Sequence, residues 1–214
     1  MNGRVLIALF LIAVFSLGLI VVAAPRENDD DGIATAGTRF EGAVMPKGLK
    51  APDFSLENQD GERISMRDFR GQPVIVTFLY TTCEDTCPVT ATTIRGALDD
   101  LGRDVPALAV SVDPANDTPA RARRFLSERR MTGRMRFLLG DRVALSGVWD
   151  AYGIRPQGED FEHSARVVLV DRAGRQRVSF PVSQLTSEGL VHDIRRLEAE
   201  ATAPTRRAAT GRGS

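Results

Sequence analysis

Two cysteines, the only ones in the 214-residue chain, stand four positions apart at Cys83 and Cys87. They follow a run of strand-forming residues at 74–80 and precede Pro88, which suits the first position of a helix. In a helical turn, side chains four apart lie about 5–6 Å from each other, so two thiols can form a disulfide or share a metal ion. A helix N-terminus also favours thiolate. The pair therefore predicts either redox chemistry or a site for a soft metal such as Cu(I) or Zn.

The residues between the cysteines bear on this choice. Three residues separate the two thiols, whereas the redox motif of thioredoxin has two. Glu84 and Asp85 are acidic, and carboxylates beside a thiol oppose thiolate formation unless a cation compensates. A bound metal ion would supply that cation. A purely structural disulfide is the third alternative, but so short a loop would stabilise the fold little.

Strand-like and helix-like patterns alternate along the chain, and these patterns must position the thiols. They predict a thioredoxin-like α/β three-layer sandwich with an added N-terminal β-hairpin. The expected elements, in order, are a hairpin (54–57 and 63–66), a strand (74–79), a helix from Pro88 to Gly102, a strand (105–112), a helix with Thr118 and Pro119 as cap and start, a strand (135–139), a helix ending at Gly153, a hairpin (165–170 and 176–180) and a last helix around 190–197.

A copper site of low coordination number needs one donor besides the two thiolates. The chain has two histidines that are candidates for this donor. His163 stands just before the apolar strand predicted at 165–170. In the expected sandwich, the loop that enters this strand comes close to the cysteine loop, so we expect His163 to reach it. His192 falls on the solvated face of the last helix, and we expect it to be a surface residue.

Composition excludes some classes of protein. A hydrophobic content of 43% and a charged content of 26% are typical of a globular chain, and zero formal net charge argues against binding to nucleic acid. Residues 121–136 contain seven arginines. We expect these to form a solvated helix face, with docking to an acidic partner as the alternative.

Residues 5–24 form an uncharged, apolar run of twenty residues, long enough to cross a bilayer as a helix. The small residues at 22–24 leave signal-peptide cleavage as an alternative. The flanking charges favour an inside N-terminus, which predicts a single-pass protein of the bacterial inner membrane with its domain in the periplasm. The expected division is therefore a transmembrane anchor at 1–24, a flexible tether at 25–50, a folded domain at 51–200 and a disordered tail at 201–214.

Three motifs carry a family resemblance. Residues 82–88 look like the C-x-x-x-C-P motif of the Sco/SenC family of copper proteins, and residues 112–119 resemble its second motif, an Asp-Pro loop that runs into Thr-Pro. His163 matches the single distal histidine of the family. The resemblance covers about residues 45–200. Glu84 is a departure, because many members have proline there, and we expect it to affect loop rigidity more than ligation.

The resemblance implies a membrane-anchored, thioredoxin-like copper protein that helps to assemble the CuA centre of cytochrome c oxidase. It implies one copper per chain, as Cu(I) or also as Cu(II), with Cys83, Cys87 and His163 as ligands. The implied partners are the CuA-bearing subunit of the oxidase and, beyond it, other periplasmic copper chaperones or thiol reductases. Asp113 and Asp117 are candidates for positions near the site, with turn and helix-entry chemistry as the alternative.

The same cysteine pair allows a second function. A copper chaperone is not expected to be an enzyme, whereas a thiol-disulfide reductase or a thiol peroxidase is one, and a thioredoxin-like frame suits either. The three-residue spacing counts against the enzyme. Because a reductase would not need His163, survival of activity without this side chain would favour the enzyme.

Overall fold

The structure is a computed structural model that describes residues 39–156 and 165–202, without the side chains of the last two. The described residues form eight strands, four helices and two 3-10 turns. The strands are β1 (Ala43–Val44), β2 (Ser55–Asn58), β3 (Arg63–Ser65), β4 (Val74–Leu79), β5 (Ala107–Ser111), β6 (Met135–Leu139), β7 (Arg166–Val170) and β8 (Gln176–Pro181). The helices are α1 (Thr86–Leu101), α2 (Pro119–Glu128), α3 (Arg142–Tyr152) and α4 (Ser187–Thr202), and the 3-10 turns are Met66–Phe69 and Val182–Gln184.

All eight strands belong to one sheet, in the order β1-β8-β7-β4-β5-β6-β2-β3. The central strands β4, β5 and β6 are parallel, and β7 is antiparallel to β4. Every residue of β4 and of β5 is buried, because helices or loops cover both faces of the sheet centre. This explains why both strands are nearly continuous apolar runs in the sequence.

Helices cover both faces of the sheet. On one face, α1, α2 and α4 contribute Ile94, Phe125 and Ile194 to a buried cluster. On the other face, Trp149 of α3 and Leu56 of the β2–β3 hairpin belong to a second cluster. The arrangement confirms the predicted three-layer, thioredoxin-like α/β sandwich with an N-terminal hairpin.

Helix ends follow from local sequence. Thr118 caps α2, because its hydroxyl accepts the backbone N–H of Arg121 at 3.3 Å. Gly102 ends α1 in the left-handed conformation, with φ of 67°. Both positions were predicted. The start of α1 was not, since the helix begins at Thr86 and Pro88 is its third residue.

The predicted boundary between tether and domain at residue 51 needs correction. Strand β1 pairs antiparallel with β8, and the carboxylate of Asp193 accepts the backbone N–H groups of residues 41 and 42 at 2.9 and 3.0 Å. The compact unit therefore starts at Phe40. Sequence patterning could not show this, because β1 has only two residues and depends on a side chain about 150 positions away.

Several predictions fall on other parts of the chain. The anchor at 1–24, the first part of the tether and nearly all of the tail at 201–214 lie outside the described residues, as does His163. Among the helices that the structure describes, none combines the length and the hydropathy that a bilayer crossing requires.

Candidate metal centre

Both cysteines lie where β4 gives way to α1. Cys83 belongs to the loop before the helix, and Cys87 is the second residue of α1. The two thiols are therefore not on successive turns of one helix, which corrects the geometry assumed from their spacing. Both cysteines are free, and only 9% of Cys83 and 1% of Cys87 is exposed.

The sulfur of Cys83 takes part in the capping of α1. The backbone N–H of Cys87 donates to Cys83 Sγ at 3.3 Å, and the hydroxyl of Thr86 lies 3.7 Å from the same sulfur. Asp85 occupies the cap position, but its side chain makes no capping hydrogen bond. The sulfur thus pairs an N–H group that the first turn of a helix leaves without a backbone partner.

These hydrogen bonds control the ionisation of Cys83. A hydrogen bond from the Cys87 thiol is the main cause that lowers the pKa of Cys83 to about 4, and the backbone N–H groups of Cys87 and Asp85 add to it. Burial acts in the opposite direction and is outweighed. Glu84 and Asp85 are both exposed, and the donors that touch the sulfur favour the thiolate without a bound cation.

Cys87 behaves in the opposite way. Its pKa is raised, first because its thiol donates to Cys83 and then because burial penalises the charged form. At neutral pH the pair therefore holds one thiolate and one thiol. Two adjacent sulfur donors, one of them already ionised, fit a soft cation, and a cation that binds both would displace the proton of Cys87.

Asp117 ties the cysteine loop to the neighbouring loop of the sheet. Its Oδ1 accepts both the backbone N–H and the hydroxyl of Thr81 at 2.7 Å, and its Oδ2 accepts the hydroxyl of Ser111 at 2.5 Å. Only 7% of Asp117 is exposed, and this burial raises the pKa of its carboxyl group. Since Thr81 stands two residues before Cys83, the carboxylate holds the entrance of the cysteine loop in place.

Asp113 serves the turn that presents Asp117. Its carboxylate accepts the side-chain amide of Asn116 at 2.8 Å, and its backbone carbonyl accepts the N–H groups of Asn116 and Asp117. Of the two predicted aspartates, the structure therefore places Asp117 against the cysteine loop and Asp113 in the supporting turn.

The two histidines have different surroundings. His163 lies outside the described residues, but β7 begins three positions later at Arg166, whose carbonyl accepts the hydroxyl of Thr77 in β4 at 3.3 Å. Because β7 runs antiparallel to β4, it starts at the end of the sheet where β4 stops. His192 Nδ1 lies 2.8 Å from Asp193 Oδ1, so it belongs to the contact that holds the N-terminal segment.

Sequence reasoning missed Thr81 and Ser111, the hydrogen-bond partners of Asp117. A threonine directly before a cysteine motif was visible, but its partner lies 36 positions away. Only the parallel pairing of β4 with β5, which places Leu79 beside Ser111, brings the two loops together.

Comparison with known proteins decides the family. Residues 44–199 match the SCO1/SenC family. The chain belongs to that family. It is 30% identical over 141 residues to the SCO1 protein homolog of Bacillus subtilis, with 61% of this chain and 72% of that protein covered. It is 29% identical over 171 residues to protein SenC of Rhodobacter capsulatus, with 75% and 74% covered.

Solved structures agree with this assignment. The ScoI protein of Bradyrhizobium japonicum, solved with copper bound, is 28% identical and gives a TM-score of 0.56 over 69% of this chain and 99% of that one. Relatives in the family thus include a copper-bound protein, which supports copper binding by this chain.

A shorter likeness joins this SCO1/SenC chain to another class of thiol protein. Peroxiredoxin Bcp of Escherichia coli is 41% identical over 64 residues, which cover 29% of this chain and 41% of that protein. The match spans less than half of the peroxiredoxin.

Proposed function

We propose that this chain is a copper metallochaperone that binds one copper ion through Cys83, Cys87 and His163 and delivers it to the CuA-bearing subunit of cytochrome c oxidase. The observation that carries the proposal is the fixed pair of sulfurs at the start of α1, one of them already a thiolate. Membership of the SCO1/SenC family supports the choice of metal.

Copper is the cargo, and each donor has a distinct part in taking it up. Cys83 offers a thiolate without prior loss of a proton, and Cys87 releases its proton when the ion binds. His163 supplies an imidazole, which completes a set of two sulfurs and one nitrogen that suits Cu(I). The start of β7 beside the end of β4 supports the approach of His163 to the thiols.

Release of the cargo needs a partner with its own soft ligands. The cysteines of a CuA-bearing subunit would exchange with Cys83 and Cys87 one sulfur at a time, so that copper never leaves a thiolate environment. The hydrogen bonds from Thr81 to Asp117 support this exchange, because they maintain the conformation of the cysteine loop while each sulfur in turn releases the copper ion.

We place the domain on the outer face of a bacterial inner membrane. The apolar run at 5–24 serves as the anchor and residues 25–39 as the tether. Copper chaperones and thiol reductases of the same compartment are further partners, the former as a source of the metal and the latter to keep the two cysteines reduced.

A competition titration of the full-length protein tests the copper site. Cu(I) held by a chromophoric chelator should transfer to the wild-type protein at one ion per chain. Cys83→Ser, Cys87→Ser and His163→Ala should each weaken the affinity by about a hundredfold or more, because each removes one of three donors. His192→Ala is the matched control and should leave the affinity unchanged. Wild-type affinity in the His163→Ala protein would contradict the three-donor site.

A second function is favoured by the low pKa of Cys83 and by the likeness to peroxiredoxin Bcp. As a reductase, the Cys83 thiolate would attack a disulfide of the partner and form a mixed disulfide, which expels one partner thiolate. Cys87 would then lose its proton and attack Cys83, so that the partner leaves as a dithiol and this chain as a disulfide. An external thiol reductase would restore the pair. Full reduction of a model disulfide by the His163→Ala protein would favour this function.

A further inference from the structure

A cluster of exposed arginines lies on and just after α2. Residues 118–136 contain seven arginines and one acid, Glu128. The exposed members at this helix are Arg121, Arg123, Arg124 and Arg130, and these four side chains are called the basic surface below. The side chain of Arg124 is 81% exposed.

The positive charge of the basic surface is only partly balanced. Asp60 pairs with Arg123 at 3.1 Å. Glu128 is shared, since it lies 3.4 Å from Arg124 and 4.0 Å from Arg129. Among the described residues, no carboxylate lies within ion-pair distance of Arg121 or Arg130, and Arg121 donates instead to a backbone carbonyl. The surface therefore retains an excess of positive charge.

Arg130 occupies a position that favours glycine. It follows the C-cap of α2 with φ of 55°, and no other non-glycine residue in the described part of the chain has a positive φ. Its N–H bonds to the carbonyl of Ser127, and the N–H of Met131 bonds to that of Leu126, which is the hydrogen-bond pattern of a Schellman motif. Glycine adopts this conformation without steric cost, whereas the Cβ atom of arginine makes it sterically unfavourable. The protein therefore carries a charged side chain at a conformational cost.

The basic surface starts at the same end of the sheet as the cysteine pair. Strands β4 and β5 are parallel and in register, so the helices that follow them, α1 and α2, both begin at their carboxyl ends. Asp117, directly before the cap of α2, holds the cysteine loop through Thr81. Arg121 lies in the first turn of α2. A partner seated on α2 can thus extend over the end of the sheet where the cysteine loop lies.

We infer that the basic surface docks an acidic protein surface, and that this contact brings the partner's cysteines to Cys83. The inference rests on the proposed function, because it assigns the surface to the partner that receives copper. Guanidinium groups suit the task, since each forms paired hydrogen bonds with a carboxylate. The excess of positive charge on the basic surface also accelerates the encounter with a negatively charged partner.

Titration of full-length protein with a fluorescein-labelled peptide of alternating Glu and Asp residues tests the inference. Fluorescence anisotropy at low salt should give saturable binding that weakens as salt rises. The double variant Arg121→Glu/Arg124→Glu should lose about tenfold or more in affinity, since attraction becomes repulsion at two positions. Vesicles rich in phosphatidylglycerol, added in a parallel titration, should compete weakly with the peptide.

Two variants separate docking from general charge and from folding. Arg39→Glu/Arg195→Glu reverses two exposed arginines, one before β1 and one on α4, and it changes the net charge of the chain by the same amount. It should reduce affinity less than threefold. Arg130→Gly should weaken peptide binding while the melting temperature stays the same or rises, because glycine relieves the backbone at this position.

Two results would overturn the inference that the basic surface docks an acidic protein. Equal losses in both double variants would overturn it, because net charge alone would then explain binding. Preference for vesicles over peptide would also overturn it and would assign the arginines to a lipid surface. Copper affinity measured on the same proteins keeps the two proposals apart. Arg121→Glu/Arg124→Glu should bind copper as the wild type does. A wild-type protein that binds the peptide but no copper would contradict the proposed function, while the docking surface would remain supported.

Discussion

Cys83 and Cys87 have the same side chain, yet their surroundings give them opposite acidities. The sulfur of Cys83 receives hydrogen bonds from the thiol and the backbone of Cys87, which stabilise the thiolate. Cys87 is the donor and is more deeply buried, so its thiol form is favoured. A single pair thus provides one ready nucleophile or ligand and one proton to release.

This difference predicts the pH dependence of thiol alkylation. Because the pKa of Cys83 is lowered to about 4, its thiolate persists as pH falls from 9 and is lost only as pH falls through about 4. In the reduced, metal-free protein, iodoacetamide should therefore modify Cys83 at a nearly constant rate between about pH 5 and 8. The measurement is a rate profile followed by mass spectrometry.

The control for this profile is Cys87→Ala, which removes the main hydrogen-bond donor to Cys83. The midpoint of the profile should rise towards the ordinary thiol value in this variant. A wild-type midpoint near pH 9 would show that the hydrogen bonds do not control the ionisation of Cys83.

Among the elements, the loops after β4 and β5 depend on each other. Asp117 in the second loop accepts hydrogen bonds from Thr81 in the first and from Ser111 at the end of β5. Trp149 of α3 adds a bond from its indole N–H to the carbonyl of Ser111 at 2.9 Å. The cysteine loop is therefore held directly by Asp117, which Ser111 supports, and Ser111 is held in turn by Trp149.

Replacement of Asp117 should show how much this link contributes. Asp117→Ala leaves the N–H of Thr81 without its acceptor and should lower the free energy of unfolding by about 2–4 kcal/mol. Asp117→Asn keeps one oxygen for Thr81 and should cost only about 1 kcal/mol. Urea unfolding followed through Trp149 measures both, and equal costs in the two variants would show that the oxygen facing Thr81 is unimportant.

The start and end of an element are predictable from the sequence when the residues that determine them lie nearby in the chain. The cap at Thr118 and the end of α1 at Gly102 were predicted correctly, because both are set by neighbours within a few residues. The start of α1 was placed two residues late, since the sulfur of Cys83 satisfies an N–H there and local rules do not include that acceptor. The link from Asp117 to Thr81 was invisible, because it needs the pairing of two strands.

At the scale of the whole molecule, the order of strands and helices was predictable from periodicity, but the N-terminal boundary was not. Residues 40–42 are fixed by α4 and β8 rather than by their own pattern. Besides the bonds to Asp193, the guanidinium groups of Arg177 in β8 and Arg196 in α4 lie 5.7 and 4.8 Å from the centre of the Phe40 ring. The fold thus begins with a segment held by the last helix and the last strand.

Two fragments test this boundary. The fragment 51–202 lacks β1 and the N–H donors of Asp193, so it should be less stable than 39–202 by about 2–4 kcal/mol in urea unfolding. Asp193→Ala should destabilise 39–202 by about 2 kcal/mol and should affect 51–202 much less, because the partners are already absent there. Equal effects of Asp193→Ala in both fragments would show that residues 41 and 42 are not its partners in solution.

The short strands at the two margins of the sheet bear on how the protein avoids self-association. Strand β1 has two residues and β3 has three, while the long apolar strands β4 and β5 are enclosed in the middle of the sheet. A long, flat margin would offer unpaired backbone groups on which another chain could add a strand and start a fibril. Margins this short give an incoming strand only a few hydrogen bonds. We therefore expect the folded domain to remain dispersed at high local concentration, and aggregation to begin from unfolded chains rather than from native sheets.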